Sequence, residues 1–147
     1  MQMPRIVLAA ALLFVAGCTS NSGPLTVPET SAARPALADR VVFIEQYVKF
    51  RREYKQLEYD VSYMNGGSFS PAPSEWDIRI VANVDPNDLD QWAITGKRNL
   101  EMKTPDWVGT TAGPLNVDAI SEWYTDGGRT VGIDRDHNIV AYRNFAH

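Results

Sequence analysis

The sequence predicts an α+β fold, in which an N-terminal helix packs on an antiparallel sheet of about five strands with a second short helix. Apolar residues in the segment 37–57 recur at spacings of three and four, which is typical of an amphipathic helix. Later segments alternate apolar and polar residues, as half-buried strands do, and turn residues separate them. Residues 37–147 number 111, which is within the usual size of a single domain.

The N-terminal helix is expected over residues 37–57, where neither proline nor glycine interrupts the pattern. Its apolar face is broad because two stripes lie side by side, with Leu37, Val41, Ile44 and Val48 in the first and Phe43, Tyr47, Phe50, Tyr54 and Leu57 in the second. We favour the interpretation that this face covers the sheet. The alternative is a partner helix on the second stripe, whose spacing is heptad-like but shorter than a coiled coil requires.

Charged side chains occupy the rest of this predicted helix. The basic group Lys49, Arg51, Arg52 and Lys55 is interpreted as its solvated side, with contact to anionic phospholipid headgroups as the alternative.

Two strands, over residues 58–64 and 76–84, are expected to pair as a hairpin with a long loop. A second helix follows, because Asp85 is suited to cap it, Pro86 fits its first position, and Gly96 ends it. Its buried face consists of Leu89, Trp92 and Ala93. The acidic residues Asp85, Asp88 and Asp90 do not fit a calcium-binding EF-hand loop, which requires an oxygen ligand where Leu89 stands and glycine where Asp90 stands.

The segment 97–118 is expected to be irregular, since prolines and glycines break any regular pattern in it. Trp107 and Val108 either fill the edge of the core or are exposed and bind a ligand. The second alternative is considered because long loops in compact domains are often functional. Three strands over residues 120–125, 130–133 and 139–145 complete the sheet as an antiparallel meander.

The turn before the last strand contains Asp134, Asp136 and His137, and the two carboxylates near the histidine suggest an acid–base site as one interpretation. A polar turn is the favoured interpretation, because no nucleophile in a recognisable setting accompanies the histidine. These three residues and Trp107 are the candidates for partner binding. No catalytic residue, metal site or cofactor is predicted, since no phosphate loop, zinc spacing or nucleotide fingerprint occurs.

The N-terminal residues carry the strongest motif of the chain. Ten residues without a polar side chain, 6–15, end at Val15, and Ala16 and Gly17 then stand directly before Cys18, the only cysteine. This stretch resembles the lipobox of bacterial lipoproteins, and its apolar run has the length of a signal-peptide core, too short for a membrane-spanning helix. The resemblance implies that residues 1–17 are removed and that Cys18 carries a diacylglycerol and usually an acyl group.

The resemblance also implies a location. Thr19 stands where aspartate retains enterobacterial lipoproteins in the inner membrane, so the outer membrane, facing the periplasm, is expected for a Gram-negative host. Residues 18–36 are rich in Ser, Thr, Pro, Ala and Gly and are expected to form a flexible tether.

The charge balance excludes one class of partner. Without the signal segment, and therefore without Arg5, 13 basic and 18 acidic residues remain, a formal balance of −5. Nucleic acid is an unsuitable partner for such a chain. With Cys18 lipidated, thiol chemistry, disulfides and thiolate metal sites are excluded as well.

A second resemblance lies in the C-terminal strands. The stretches Trp123-Tyr124, Thr130-Val131-Gly132-Ile133-Asp134 and Ile139-Val140-Ala141-Tyr142 resemble the strand pattern of small outer-membrane assembly lipoproteins of the BamE/SmpA type. The resemblance covers about 20 residues, and the paired helices that precede the sheet in that family are not evident here. No function is transferred from it.

The sequence therefore favours a membrane-anchored, non-enzymatic envelope lipoprotein that binds a protein or a cell-wall partner. One alternative is a periplasmic inhibitor or immunity lipoprotein, in which an acidic loop at residues 85–90 or 134–136 enters a basic cleft. A small hydrolase is the least favoured alternative.

Overall fold

The computed structural model describes residues 28–48, 53–64, 75–93 and 96–146. Within these ranges one antiparallel sheet has the strand order β1-β2-β3-β7-β6-β5-β4 and three short helices accompany it. The elements are β1 Glu29–Thr30, α1 Leu37–Ile44, β2 Tyr54–Met64, β3 Glu75–Val84, α2 Leu89–Ala93, β4 Lys97–Arg98, α3 Asp106–Thr111, β5 Glu122–Asp126, β6 Arg129–Asp134 and β7 Ile139–Ala146. The mixed class is confirmed, whereas the expected number of five strands is wrong because the short edge strands β1 and β4 extend the sheet to seven.

The sheet is covered on both faces. Helices α1 and α2 pack on one face over the larger core, which includes Ile80 and Ala82 of β3. Helix α3 packs on the opposite face over a smaller core, to which β3 contributes Val81. Alternation along β3 therefore serves two cores, and this is why Ile80, Val81 and Ala82 are consecutive buried apolar residues.

The predicted N-terminal helix is wrong in its second half, because α1 ends at Ile44 and Tyr54 already begins β2. A β-bulge explains why the pattern suggested a helix. Tyr54 pairs with Val84 and Leu57 pairs with Ala82, so β2 contains one extra residue there. The bulge places Tyr54 and Leu57 on the same face three positions apart, which is a helical spacing produced by a strand.

The first half of that prediction agrees with the structure. Phe43 and Ile44 are buried on the larger core, and the Phe43 ring stacks on Tyr59 of β2 with ring centroids 5.1 Å apart. The favoured interpretation, that this helix covers the sheet, is therefore confirmed for α1. Phe50 lies outside the described residues.

The expected tether is too long at its C-terminal end. Glu29 and Thr30 form β1 by pairing with Val61 and Asp60, and a 3₁₀ turn at Ser31–Ala33 buries Ser31. Residues 29–36 therefore belong to the folded part. The remainder of the tether and the signal segment lie outside the described residues.

The segment 97–118 is more regular than predicted, since it contains β4 and α3. Val108 is fully buried and Trp107 packs against the smaller core. The predicted hairpin of β2 and β3 and the meander of β5, β6 and β7 are confirmed with boundaries shifted by a few residues. In the ranges that the structure describes, no helix has the length and apolar character needed to cross a membrane.

Strand pairing defines two ends of the sheet. The proximal end contains Met64, Glu75 and Ala146, and the chain preceding β1 joins the fold there, because Glu29 pairs with Val61 and β1 runs antiparallel to β2. The distal end contains Tyr54 and Val84, together with the Asp85–Asp88 loop, α2 and the β6–β7 turn.

Candidate functional site

The distal end joins two loops that are 45 residues apart in sequence. The guanidinium of Arg135 lies 2.9 Å from Asp90 Oδ1 and 2.7 Å from Glu122 Oε1, so it connects the segment after β3 with β5. The Val84 N–H also donates to the Asn138 carbonyl at 3.0 Å. Residues 84–90 and 135–138 therefore form one surface, which we call the distal surface.

The β6–β7 turn is held by a buried carboxylate. Asp134, whose side chain is only 3% exposed, accepts hydrogen bonds from the N–H groups of Asp136 and His137 at 3.0 and 3.2 Å, and its Oδ2 lies 2.7 Å from His137 Nδ1. Asn138 adopts a left-handed φ of 58°, which asparagine tolerates better than most residues. Asp134 is thus a structural residue of the turn, whereas Asp136 and His137 are exposed.

A second carboxylate organises the loop at residues 85–88. Asp85 Oδ1 accepts from the Asn87 N–H at 2.9 Å and from Asn87 Nδ2 at 2.8 Å, which confirms the predicted cap. The backbone N–H of Asn87 holds the pKa of Asp85 below its ordinary value. Arg135 likewise lowers the pKa of Glu122. These carboxylates are therefore ionised near neutral pH.

The distal surface is acidic and preorganised. Its exposed or half-exposed carboxylates are Asp85, Asp88, Asp90 and Asp136. In the described residues, no group of three or more histidine, cysteine or acidic side chains is arranged to hold a metal ion. The hydrogen bonds described for the Asp134–His137 pair include no serine, threonine or cysteine side chain. The distal surface is therefore an ordered, acidic part of the fold.

A cleft of ≈ 330 Å³ lies near the proximal end on the face covered by α1. Tyr63 of β2 pairs with Trp76 of β3, and Tyr47 stands beside Tyr63 with ring centroids 5.5 Å apart. All three rings are half-buried. Of the described residues, those that line this aromatic cleft are Gln46, Tyr47, Tyr63, Trp76, Ile78 and Asn144.

A buried polar cluster fixes the N-terminal edge of the sheet. Glu58 Oε1 accepts from Arg40 Nη1 at 2.6 Å, and Glu58 Oε2 accepts from the hydroxyl of Ser31. Arg40 also donates to the backbone carbonyl of Leu57 at 2.9 Å. Gly113, at a φ of +55°, approaches this carboxylate closely, since an added Cβ would lie 3.1 Å from Glu58 Cδ. The cluster Ser31–Arg40–Glu58 joins the 3₁₀ turn, α1 and β2.

A chain of ion pairs crosses β3 and β7 near the proximal end. Arg143 Nε donates to Asp77 Oδ1 at 2.8 Å, and Arg79 Nη2 lies 2.6 Å from Asp77 Oδ2. Burial alone would raise the pKa of Asp77, but the guanidinium groups of Arg143 and Arg79 outweigh it, so the pKa is lowered. These charges stabilise the sheet.

The other predicted site residues are distributed differently. Trp107 is half-buried against the smaller core and lies apart from the distal surface, because it belongs to α3 on the opposite face of the sheet. Cys18 and the basic residues Lys49, Arg51 and Arg52 lie outside the described residues. Lys55, by contrast, is exposed at the start of β2 at the distal end, where its charge acts on Asp85.

Sequence reasoning found both acidic segments but not their association. The contact depends on Arg135 reaching Asp90 across a gap of 45 residues, for which no local pattern exists. The aromatic cleft was missed, because Tyr63 and Trp76 lie on different strands and only strand pairing brings them together. No family model, no curated protein and no solved structure matches the chain.

Proposed function

We propose that this protein is a lipid-anchored envelope lipoprotein that binds a protein or cell-wall partner without catalysing a reaction. Lipidation at Cys18 attaches the chain to the membrane, and the location is the outer membrane facing the periplasm. The lipobox-like sequence supports the anchor, because glycine directly precedes the only cysteine at the end of an apolar run. Two or three acyl chains anchor a protein far more firmly than one does.

The observation that carries the binding proposal is the construction of the distal surface. Arg135 joins two acidic loops, and Asp134 orders the turn that displays Asp136 and His137. A surface that is ordered before binding loses less conformational entropy when a partner arrives. Because the preceding chain joins the proximal end, the distal surface points away from the attachment point and is accessible to a partner.

The charge of this surface indicates the chemistry of the partner. Complementary charge accelerates association and rejects partners of the wrong sign. A partner with a basic patch is therefore expected, and its binding should weaken as salt is added.

The test is capture of envelope proteins with the full chain and with charge-reversed variants. Asp136→Lys is expected to abolish capture of the partner that the unchanged protein retains. Glu101→Lys, which makes the same charge change at an exposed position near β4, is expected to retain it. If both variants capture the same proteins as the unchanged chain, the distal surface is not the binding surface.

The alternative is an inhibitor or immunity lipoprotein. The same observation supports it, since both acidic loops considered for that function meet in one surface. The two proposals differ in the identity of the partner and in the effect of binding. A resident envelope protein whose activity is unchanged supports the first, whereas a foreign toxin or hydrolase that loses activity on binding supports the second.

A further inference from the structure

The proximal end carries a feature that the distal binding surface does not explain, namely the aromatic cleft. Its aromatic rings come from three segments: Tyr47 from the turn that follows α1, Tyr63 from β2 and Trp76 from β3. The three rings line one cleft. The cleft also includes two amides, Gln46 and Asn144, and the described residues that line it are uncharged. Tyrosine and tryptophan rings have an apolar body and one polar group. Placed beside amides, they suit an environment that is apolar on one side and hydrated on the other.

The course of the chain places this cleft near the membrane. Only nine residues, 19–27, lie between Cys18 and Pro28, the first described residue, so ten residue-to-residue steps join the two. Such a segment spans at most about 35 Å when fully extended, and about 17 Å on average when it behaves as a coil. Because β1 joins the fold at the proximal end, an anchor at Cys18 holds that end within reach of the bilayer.

We infer that the aromatic cleft is a docking site for the membrane interface, where it receives the glycerol and carbonyl region of a phospholipid. Tyrosine and tryptophan are enriched at this level of membranes because their rings are amphipathic. A volume of ≈ 330 Å³ is at the lower end of the range for small-ligand sites, which suits part of a lipid better than a folded partner. The inference rests on the proposed anchor at Cys18.

The charges near the cleft indicate which lipids it accepts. Glu75 precedes Trp76 on β3 and is exposed. A carboxylate at that position gives no attraction to an anionic surface, so docking is expected on zwitterionic phosphatidylcholine vesicles that contain no phosphatidylglycerol. Docking through uncharged groups should also change little with salt.

The experiment uses the full, lipidated chain reconstituted in phosphatidylcholine vesicles whose acyl chains are brominated near the carbonyl. Bromine quenches tryptophan fluorescence only over short distances, so it reports which ring lies at the membrane. The unchanged protein is expected to be quenched, and Trp76→Phe is expected to lose most of the quenchable signal. Trp107→Phe is the matched control, since Trp107 is also half-buried but lies on α3.

Three outcomes are distinguishable. Loss of quenching in Trp76→Phe and its retention in Trp107→Phe support the docking site. Equal quenching in both variants, or no quenching of a protein that floats with the vesicles, overturns the inference while leaving the anchor intact. A protein that does not float with the vesicles contradicts the anchor itself. Far-ultraviolet circular dichroism and unfolding of Trp76→Phe verify that the substitution leaves the fold in place.

Discussion

Replacement of Glu58 by glutamine should destabilise the protein through the Ser31–Arg40–Glu58 cluster. The glutamine side chain keeps the volume of Glu58 but removes its charge, and its single carbonyl oxygen replaces only one of two acceptors. The side chains of Arg40 and Glu58 are 17% and 8% exposed, so solvent compensates little for the loss. Glu58→Gln should also loosen β1, because Ser31, which donates to Glu58, directly follows the last residue of β1.

The magnitude follows from the contacts of the cluster. Loss of a hydrogen bond to a charged group costs about 1.5–3 kcal/mol. Breaking a fully buried pair costs about 3–5 kcal/mol, but Arg40 retains the carbonyls of Arg34 and Leu57 at 2.6 and 2.9 Å. We therefore expect a loss of about 2–3 kcal/mol in the free energy of unfolding for Glu58→Gln. For Ser31→Ala we expect about 1.5 kcal/mol, the lower end of the range for a hydrogen bond to a charged group, because the carboxylate stays paired with Arg40.

The assay is urea unfolding at neutral pH, in a Cys18→Ser background that leaves every described residue unchanged. Asp126→Asn is the control, because its carboxylate pairs with Arg129 where the two side chains are 44% and 40% exposed, and such surface pairs contribute at most about 1 kcal/mol. Hydrogen exchange should show faster exchange in β1 for Glu58→Gln. If Glu58→Gln costs no more than Asp126→Asn, the cluster does not hold the edge of the sheet.

Three further predictions concern stability. Gly132→Ala should cost about 1–3 kcal/mol by urea unfolding, because the new Cβ would lie 2.6 Å from the Trp123 ring. Gly109→Ala in α3 should instead stabilise the protein by up to about 1 kcal/mol, because the new Cβ would have no neighbouring atom within 4 Å. Equal changes in the free energy of unfolding for the two variants would contradict the close contact between Gly132 and Trp123. The pKa of Asp77 is lower in the folded protein than in the unfolded chain, where it is about 3.9, so ionised Asp77 stabilises the fold at pH values above about 3.9. This contribution is lost as the pH falls through the pKa that Asp77 has in the folded protein. Asp77→Asn should therefore flatten the acid branch of a stability–pH curve, and an unchanged slope would refute this. Asp85→Ala should cost about 0.5–2 kcal/mol by loss of the cap, measured as a lower urea midpoint, and no change would show that the cap is unimportant.

Local patterns predicted the elements whose signals lie within a few neighbouring residues. β3 and the meander alternate clearly, and the cap at Asp85 is a short-range motif. The predicted helix failed at the bulge in β2, since one extra residue changes the period from two to three and imitates a helix. Bulges depend on the partner strand, so the sequence of β2 alone does not reveal them.

The elements that were missed depend on distant partners. The buried hydroxyl of Ser31 donates a hydrogen bond to Glu58, 27 residues later, and a serine in a proline-rich stretch carries no sign of this. Likewise, the association of the acidic loops depends on Arg135, which sequence analysis placed only in a turn. The candidate residues Asp136 and His137 were predicted correctly as turn residues, whereas Asp134 proved to be the buried residue that orders them.

We propose that Cys18 carries lipid and that the domain works at a membrane. The most direct test of this proposal is intact-mass measurement of the mature protein combined with membrane fractionation. We predict a chain that begins at Cys18 with a mass increase equal to a diacylglycerol and, where present, one acyl group. Cys18→Ser should be unprocessed or soluble and should not incorporate palmitate. A mature chain with an unmodified Cys18, or a Cys18→Ser variant that still labels with palmitate and fractionates with membranes, would contradict the account.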